Sequence, residues 1–406
     1  MMRSLATPAI WEAILLITVV FGVFFGPLVF PIFFLSLCIL VITDRSGIAR
    51  AFENFPRLLW LLFTMVTAFM AYFAAVAAMR WVGYDITVPF QIDGVVHPGE
   101  WVLYLVVTLL LAIALFETQF VHKGMTTWFL PVFIVACSFA AAGYIYFHFN
   151  EPVLGSACRT GFNIMNPNIL AFFLSILICL AFAYLISVDT RKKAALAVVA
   201  IGMLMLVILT GSRMAILSLT FTILVISFVS HENRARTFLQ CLCVLVGAFA
   251  IGLLIVELIG CGLFNRFRLL GSALDADVSF STANRVTLWS QAIEALRTNW
   301  LWGVGFQFEP TVNPKSGHIH NQYLSWWLWG GLPGLVLAVT PFVTLLYYGW
   351  VRAGVAGLGI SFAYVGFAGL NFMSDSIVFF STPFAQFMIL FAVTIGLIEA
   401  RRAAAS

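Results

Sequence analysis

Two histidines and two amides lie directly before a tryptophan-rich apolar run, in the stretch HIHNQYLSWWLWGGLPG at positions 318–334. An imidazole ordinarily titrates near neutral pH, so His318 or His320 is suited to accepting a proton from a hydroxyl group. Asn321 follows His320 and can orient its imidazole through a hydrogen bond. The Gly-Gly-Leu-Pro-Gly run predicts a break in the helix shortly afterwards. The stretch therefore offers a proton acceptor at the edge of an apolar helix.

Arginines occur where apolar surroundings make a charge costly. Arg213, in VILTGSRMAILSL, has long apolar runs on both sides, and a charge at membrane depth needs a partner or a water-filled cavity. Arg159 precedes Asn-Pro-Asn at 166–168, a signature of a turn leading into a helix. Two alternatives stay open, namely Arg213 as an interfacial anchor and Arg159 as a solvated loop residue. Further charged candidates on the same side of the membrane are Arg266, Arg268, Arg285 and Asp375, of which the acid can equally cap a helix.

These residue types together point to phosphate binding and proton transfer. Guanidinium groups are planar, permanently charged forks that match phosphate oxygens. The alternative of a metal bound by His318-x-His320 is disfavoured, because the sequence has no nearby cysteine, no paired carboxylate and no HExxH motif. The chain also has no Walker loop and no G-x-G-x-x-G motif. We therefore expect a lipid-linked phosphate as ligand, with no metal, no cofactor and no nucleic acid.

The composition indicates an all-α polytopic membrane protein. The 406 residues are 62% hydrophobic and 9% charged, against roughly 45–50% and 25% in soluble domains. A spanning helix needs about 20 apolar residues, and no linker or repeat divides the chain, so we expect one membrane domain over residues 1–406. About twelve spans are predicted, at 9–25, 27–43, 56–79, 101–117, 126–148, 167–188, 194–210, 213–230, 236–262, 331–350, 353–374 and 384–399.

The basic residues predict the orientation. With a cytoplasmic N-terminus, thirteen of the 21 lysines and arginines fall on the inner side and eight on the outer side, which agrees with the positive-inside rule. Both termini are then cytoplasmic. The segment after Arg3 lacks a small-residue cleavage site and carries Glu12, so we expect an uncleaved first span.

The polar residues are concentrated in one outer loop, at about 263–330, between the ninth and tenth spans. Its central part has helical periodicity, which predicts an amphipathic helix along the outer membrane interface. Arg285 lies at the first turn of that helix, and this argues against a role as mere cover for the bundle. The residues that predict the helix are Val286, Trp289, Ile293 and Leu296 on its apolar face, Thr282 or Asn284 as its N-cap, Gly303-Val304-Gly305 as its stop, and Trp300 and Trp302 in the aromatic belt.

Two of the seven cysteines are candidates for a disulfide. Cys158 and Cys261 both fall near the outer face, where an oxidising environment permits a disulfide. The sequence leaves open whether they lie within bridging distance.

These motifs resemble the O-antigen ligase and polymerase superfamily of bacterial inner membranes. His320-Asn321, followed by nine residues and then Gly-Leu-Pro-Gly at 331–334, is similar to the ligase signature of a histidine, a polar residue, nine positions and G-x-x-G. Thr-Gly-Ser-Arg at 210–213 resembles a motif of the superfamily at the membrane edge. Arg285, followed by LW, A and WGVGF, resembles its outer-loop helix, although Leu-Trp stands where relatives often have a proline before G-V-G.

The resemblance implies a GT-C-like glycosyltransferase of the inner membrane with a periplasmic active site. Such enzymes transfer a polysaccharide from undecaprenyl diphosphate to a sugar of the lipid A-core, without a metal ion. His320 would then be the base, and Arg213 and Arg285 would hold the diphosphate. The implied substrate-binding residues are Arg159, His318, Asn321, Arg266, Arg268 and Asp375, the last of which would orient His320 or bind the acceptor sugar.

Three other functions fit part of this pattern. Many O-antigen polymerases have a pattern of Arg, ten residues and Gly in their outer loops, and glycine at that spacing follows none of Arg159, Arg266, Arg268, Arg285 and Arg297. A ligase that glycosylates proteins usually carries a longer outer or C-terminal portion. A flippase or transporter should place charge near the membrane midplane, whereas the charges here collect at one outer edge. Transfer to lipid A-core is therefore favoured.

Overall fold

The described part of the chain is entirely helical. The computed structural model describes residues 56–83, 167–186, 202–208, 210–229, 234–258, 276–305 and 319–373, together with 387, 390–391, 393–399 and 401–402. Its helices are α1 (Arg57–Gly83), α2 (Pro167–Ile186), α3 (Arg213–Val229), α4 (Arg234–Leu258), α5 (Ala276–Asn299) and α6 (Gln322–Asn371). Short helical stretches also occur at 202–208 and 393–399. The all-α prediction is thus confirmed for these residues.

Two helical segments, Arg57–Val76 and Gln322–Asn371, are long and apolar enough to cross a membrane. Three shorter apolar helices are Asn168–Ala183, Arg213–Val229 and Phe238–Gly252. Four of the five each overlap one predicted span, and Gln322–Asn371 covers the two predicted spans 331–350 and 353–374 but begins nine residues earlier, inside the predicted outer loop 263–330. The number of twelve spans and the GT-C-like architecture stay predictions, because the other predicted spans lie largely outside the described residues.

The 50-residue α6 is a helical hairpin that reverses at Ala353 and Gly354. Gly354 has a φ of 57°, which favours glycine. At the base of the hairpin, Gly349 and Gly357 face each other so closely that a Cβ on Gly357 would overlap the carbonyl oxygen of Gly349. Glycine at both positions therefore allows the two limbs to meet backbone to backbone.

The open end of the hairpin is closed by two hydrogen bonds. The backbone N–H of Gln322 donates to the carbonyl of Phe372 (2.8 Å), and the Tyr323 hydroxyl donates to the carbonyl of Gly369 (2.8 Å). The first residue of α6 and the residue after its last therefore lie side by side.

The hairpin is also the centre of the packing, since α6 contacts α1, α2, α3 and α5. Phe172 on α2 stacks on Phe372 with ring centroids 5.8 Å apart. Phe69 on α1 meets Trp326 edge to face at 6.1 Å. Aromatic pairs of this geometry add to the stabilisation from buried area, so they fix the open end of the hairpin against α1 and α2.

A buried carboxylate joins the base of the hairpin to the C-terminal helical segment. Glu399 is 3% exposed and accepts two hydrogen bonds from Arg352, at 2.7 Å from Nε and 2.8 Å from Nη2. Nε of Arg402 lies 3.0 Å from the same carboxylate, and the Tyr348 hydroxyl donates to it. Bidentate, charge-assisted contacts of this kind are strong and directional, so the charges of this cluster satisfy one another.

The loop helix α5 is longer than predicted. It begins at Ala276, so the predicted N-caps Thr282 and Asn284 are wrong, because both lie inside the helix, and Arg285 lies well beyond the first turn. Val286 and Ile293 are 58% and 50% exposed, so this part of the predicted apolar face does not pack against the described residues, and its place at the membrane interface stays a prediction. The face that packs inward comprises the partly buried Arg285 and Trp289 and the buried Leu288, Ala292 and Leu296, at spacings i, i+3, i+4, i+7 and i+11.

The segment directly after α5 forms backbone hydrogen bonds with α6 at the predicted helix break. At Gly331, φ is 64° and ψ is −167°, so the α-helical hydrogen bond from Leu332 N–H to Leu328 C=O is lost. Both groups instead bond to the end of α5. Leu332 N–H donates to the Trp300 carbonyl (3.1 Å), and Val304 N–H donates to the Leu328 carbonyl (2.6 Å).

Glycine is required on both sides of this crossing. A Cβ on Gly303, which has a φ of 71°, would lie 2.5 Å from the carbonyl oxygen of Leu328. A Cβ on Gly331 would overlap the carbonyl of Leu301. The predicted stop of α5 and the predicted break of α6 are therefore the two sides of one contact.

Gly357→Ala should destabilise the hairpin. The added methyl group meets backbone of the opposite limb, and overpacking of this kind costs about 1–3 kcal/mol. We expect a lower midpoint of thermal unfolding for the detergent-solubilised protein. Gly247→Ala on α4 is the control, because a Cβ there has no atom within 4 Å. Equal midpoints for the two variants would refute the close crossing.

Gly331→Ala should release the end of α5 from α6. Alanine cannot readily adopt this backbone conformation, and its methyl group overlaps Leu301. We expect faster hydrogen–deuterium exchange at 300–304 and 328–332. In the control Gly305→Ala, the residue also has a positive φ of 67° but a Cβ meets nothing within 4 Å, so exchange at 328–332 should stay near that of the unmodified protein. Unchanged exchange in Gly331→Ala would contradict the docking.

Candidate active site

His320 occupies an unusual backbone conformation directly before α6. Its φ is 52°, in the left-handed region that non-glycine residues seldom adopt. Asn321 is the N-cap of α6, and its side-chain oxygen accepts the backbone N–H of Leu324 (3.0 Å). The amide predicted to orient the imidazole therefore caps the helix through its oxygen.

The chain around His320 is held at three points. Ile319 is fully buried, and its carbonyl accepts a hydrogen bond from the indole N–H of Trp289 on α5 (2.8 Å). Asn321 caps α6, and Gln322 bonds to Phe372 on the far side of the hairpin. Strained backbone persists where its surroundings over-determine it, and these three contacts supply that constraint on both sides of the histidine.

Arg285 lies one helical turn before Trp289 on the inward face of α5. Residues four apart on a helix have Cβ atoms about 6 Å from each other, so Arg285 neighbours the residue whose indole bonds to the carbonyl next to His320. Its side chain is partly buried. Arg285 and His320, which are 35 positions apart in sequence, are thereby brought to the same part of the structure.

Arg213 is the first residue of α3 and is exposed. The turn before it is shaped by its own sequence, since the Thr210 hydroxyl donates to the Val207 carbonyl (2.6 Å) and Gly211 has a φ of 65°. Helix α3 packs against α6, which brings the two elements together. The proximity of Arg213 to His320 stays a prediction.

The arginines of the described residues fall into two groups. Arg297 pairs with Glu294 at 2.8 Å, and Arg352 pairs with Glu399. Neither Arg213 nor Arg285 forms a salt bridge with another described residue. Their positive charge is therefore not neutralised by any carboxylate in the part of the chain that the structure describes.

The remaining candidates lie outside the described residues. Asp375 follows Phe372 by three positions, and the Phe372 carbonyl bonds to Gln322, so the chain leaves α6 beside the segment that carries His320. The candidates outside the described residues are Arg159, His318, Arg266, Arg268 and Asp375, and the possible partners Cys158 and Cys261 also lie outside them.

Two contacts at this site were not anticipated from the sequence. The indole N–H of Trp289 bonds to Ile319, and that of Trp327 on α6 bonds to the carbonyl of Trp300, the residue directly after α5 (2.9 Å). The sequence predicts an apolar face for Trp289 and an apolar run for Trp327, yet each supplies a donor that joins the α5 segment to the start of α6. The sequence signal was the recurrence of tryptophan on both segments, because buried indoles usually find a hydrogen-bond partner.

Comparison with known proteins gives a match to part of the chain. The family model for O-antigen ligase matches residues 198–339, a range that contains Arg213, Arg285, His320 and the break at Gly331. No curated protein matches the chain. This part of the chain, about a third of its length, is thus similar to the O-antigen ligase family.

Proposed function

We propose that this protein is an O-antigen ligase of the bacterial inner membrane. It transfers O-antigen polysaccharide from undecaprenyl diphosphate to a sugar of the lipid A-core, on the periplasmic side and without a metal ion. The observation that carries the proposal is the hydrogen bond from Trp289 to Ile319, because it joins the helix that bears Arg285 to the segment that bears His320, within the range that matches the family.

His320 acts as the general base. The hydroxyl group of the acceptor sugar is a poor nucleophile at neutral pH, and a positioned base accelerates its attack by about 10²- to 10⁴-fold. The imidazole takes the hydroxyl proton while the hydroxyl oxygen forms a bond to the anomeric carbon of the donor glycan. The bond from that carbon to the diphosphate oxygen breaks with its electron pair, so direct displacement inverts the anomeric centre.

Arg213 and Arg285 stabilise the leaving diphosphate. Negative charge grows on the diphosphate oxygens as the bond breaks, and fixed cations in a site of low dielectric constant lower the barrier most effectively. Neither guanidinium group forms a salt bridge with a described carboxylate, so both charges are available for this role. We assign substrate binding to Arg159, His318, Asn321, Arg266, Arg268 and Asp375.

Reconstitution separates this function from its rivals. Proteoliposomes should receive an undecaprenyl diphosphate-linked glycan and lipid A-core, with neither metal nor nucleotide. A ligase joins the glycan covalently to lipid A-core, which lowers the electrophoretic mobility of the acceptor. Growth of the glycan on its polyprenyl carrier would instead identify a polymerase, and the absence of any covalent product would favour a flippase.

His320→Ala should abolish transfer while donor binding persists. The variant lacks the proton acceptor, so we expect transfer to fall by at least about 10²-fold. Donor affinity, measured with a fluorescent lipid-linked glycan, reports on the binding of the diphosphate by the arginines. It should change little in His320→Ala. Thr298→Ala, at an exposed position of α5, serves as the control and should keep full activity. Full activity in His320→Ala would eliminate the role as base.

Arg285→Lys and Arg213→Lys should each slow transfer although the charge is kept. Lysine presents a point charge and cannot form the planar, two-pronged contact that arginine makes with phosphate oxygens. We expect about a 10-fold or greater loss in kcat/KM, which corresponds to roughly 1.4 kcal/mol. Arg297→Lys is the matched control, because Arg297 lies on the same helix but is exposed and paired with Glu294. A rate equal to that of the control would argue against bidentate diphosphate contact.

A further inference from the structure

We propose that Trp289 is a positioning residue that sets the imidazole of His320 relative to the guanidinium of Arg285. The inference rests on the proposed function, because it assigns His320 and Arg285 to one reaction. It adds a residue that touches neither substrate and acts through the backbone that carries the base.

The first step is the location of the contact. The indole N–H of Trp289 donates to the carbonyl of Ile319 at 2.8 Å, and that carbonyl belongs to the peptide bond whose nitrogen is that of His320. The φ of 52° at His320 describes rotation about the bond that follows this nitrogen. The hydrogen bond therefore orients the peptide plane from which the histidine side chain departs.

The second step is the rigidity of the link to Arg285. Arg285 and Trp289 are four residues apart on one regular helix, and they share the inward face with the buried residues Leu288 and Ala292. A helix transmits position along its axis with little give over a single turn. The backbone positions of the base and of the cation are thus linked through one helical turn and one hydrogen bond.

A second indole provides an internal comparison. Trp327 also joins α5 to α6 through an indole N–H, which donates to the Trp300 carbonyl at 2.9 Å. That contact lies at the far end of α5, eleven residues beyond Trp289 and away from His320. Loss of either hydrogen bond loosens the docking of α5, but only loss of the Trp289 bond frees the peptide plane before the histidine.

The experiment compares Trp289→Phe with Trp327→Phe in the full-length protein. In transfer assays we expect kcat to fall about 10-fold in Trp289→Phe, since small misplacement of a catalytic group lowers the rate steeply, while KM for donor and acceptor changes less than about twofold. The pH dependence of kcat should shift in Trp289→Phe and stay unchanged in Trp327→Phe. Equal effects of the two variants on kcat and on its pH dependence would reduce Trp289 to a structural contact and overturn the proposal.

A readout without substrate separates this inference from the proposed function. Protein labelled with ¹⁵N-histidine gives a titration curve for His320, assigned by its loss in His320→Gln. We expect the midpoint to move in Trp289→Phe and not in Trp327→Phe, and an unmoved midpoint overturns the proposal. If the unmodified protein transfers no glycan yet the midpoint moves, the proposed function fails and the positioning role stands. If Trp289→Phe does not fold, benzothienylalanine at position 289 removes the N–H and keeps the ring, and the same two outcomes apply.

Discussion

An exchange of hydrogen bonds between two helices is the contact on which the rest of this site depends. Helix α6 gives up the bond between Leu328 and Leu332, and the end of α5 supplies a partner to each of the two groups. A buried backbone group left without a partner costs free energy comparable to a lost hydrogen bond, and Leu328 and Gly331 are buried. Docking of α5 therefore stabilises the break at Gly331, and the groups that the break exposes help to hold α5.

The two ends of α6 use arginine in opposite ways. At the base of the hairpin, Arg352 and Arg402 both contact the buried carboxylate of Glu399. The two-pronged contact of Arg352 with this carboxylate fixes the geometry at that end of the hairpin. Near the start of α6, Arg285 has no described carboxylate partner and lies on the helix that α6 holds in place. The first limb of α6 has about 30 residues at about 1.5 Å each. It therefore separates the Glu399 cluster from Arg285.

The sequence was informative where local chemistry decides the structure. The break at Gly331 and the turn between the spans predicted at 194–210 and 213–230 follow from glycine, and both occur as predicted, while α5 ends at Asn299, four residues before the predicted stop at Gly303. The periodicity of Val286, Trp289, Ile293 and Leu296 predicts the helix but does not say which of these residues pack against the rest of the protein, and among them only Trp289 and Leu296 do so. The start at Ala276, the glycine crossing in the hairpin and the Glu399 cluster depend on contacts between distant segments, for which a single sequence carries no direct signal.

The strain at His320 becomes understandable from the same contacts. A non-glycine residue in the left-handed region costs of order 1–3 kcal/mol, and a free loop would relax away from it. Here the preceding carbonyl is held by Trp289, the following residue caps α6, and the next backbone N–H is bonded across the hairpin. Part of the free energy gained when α5 docks therefore offsets the backbone strain at His320 and fixes the direction of its side chain. Proper orientation before substrates arrive removes an entropic cost from a reaction step, so the held backbone at His320 is what the base of the proposed transfer requires.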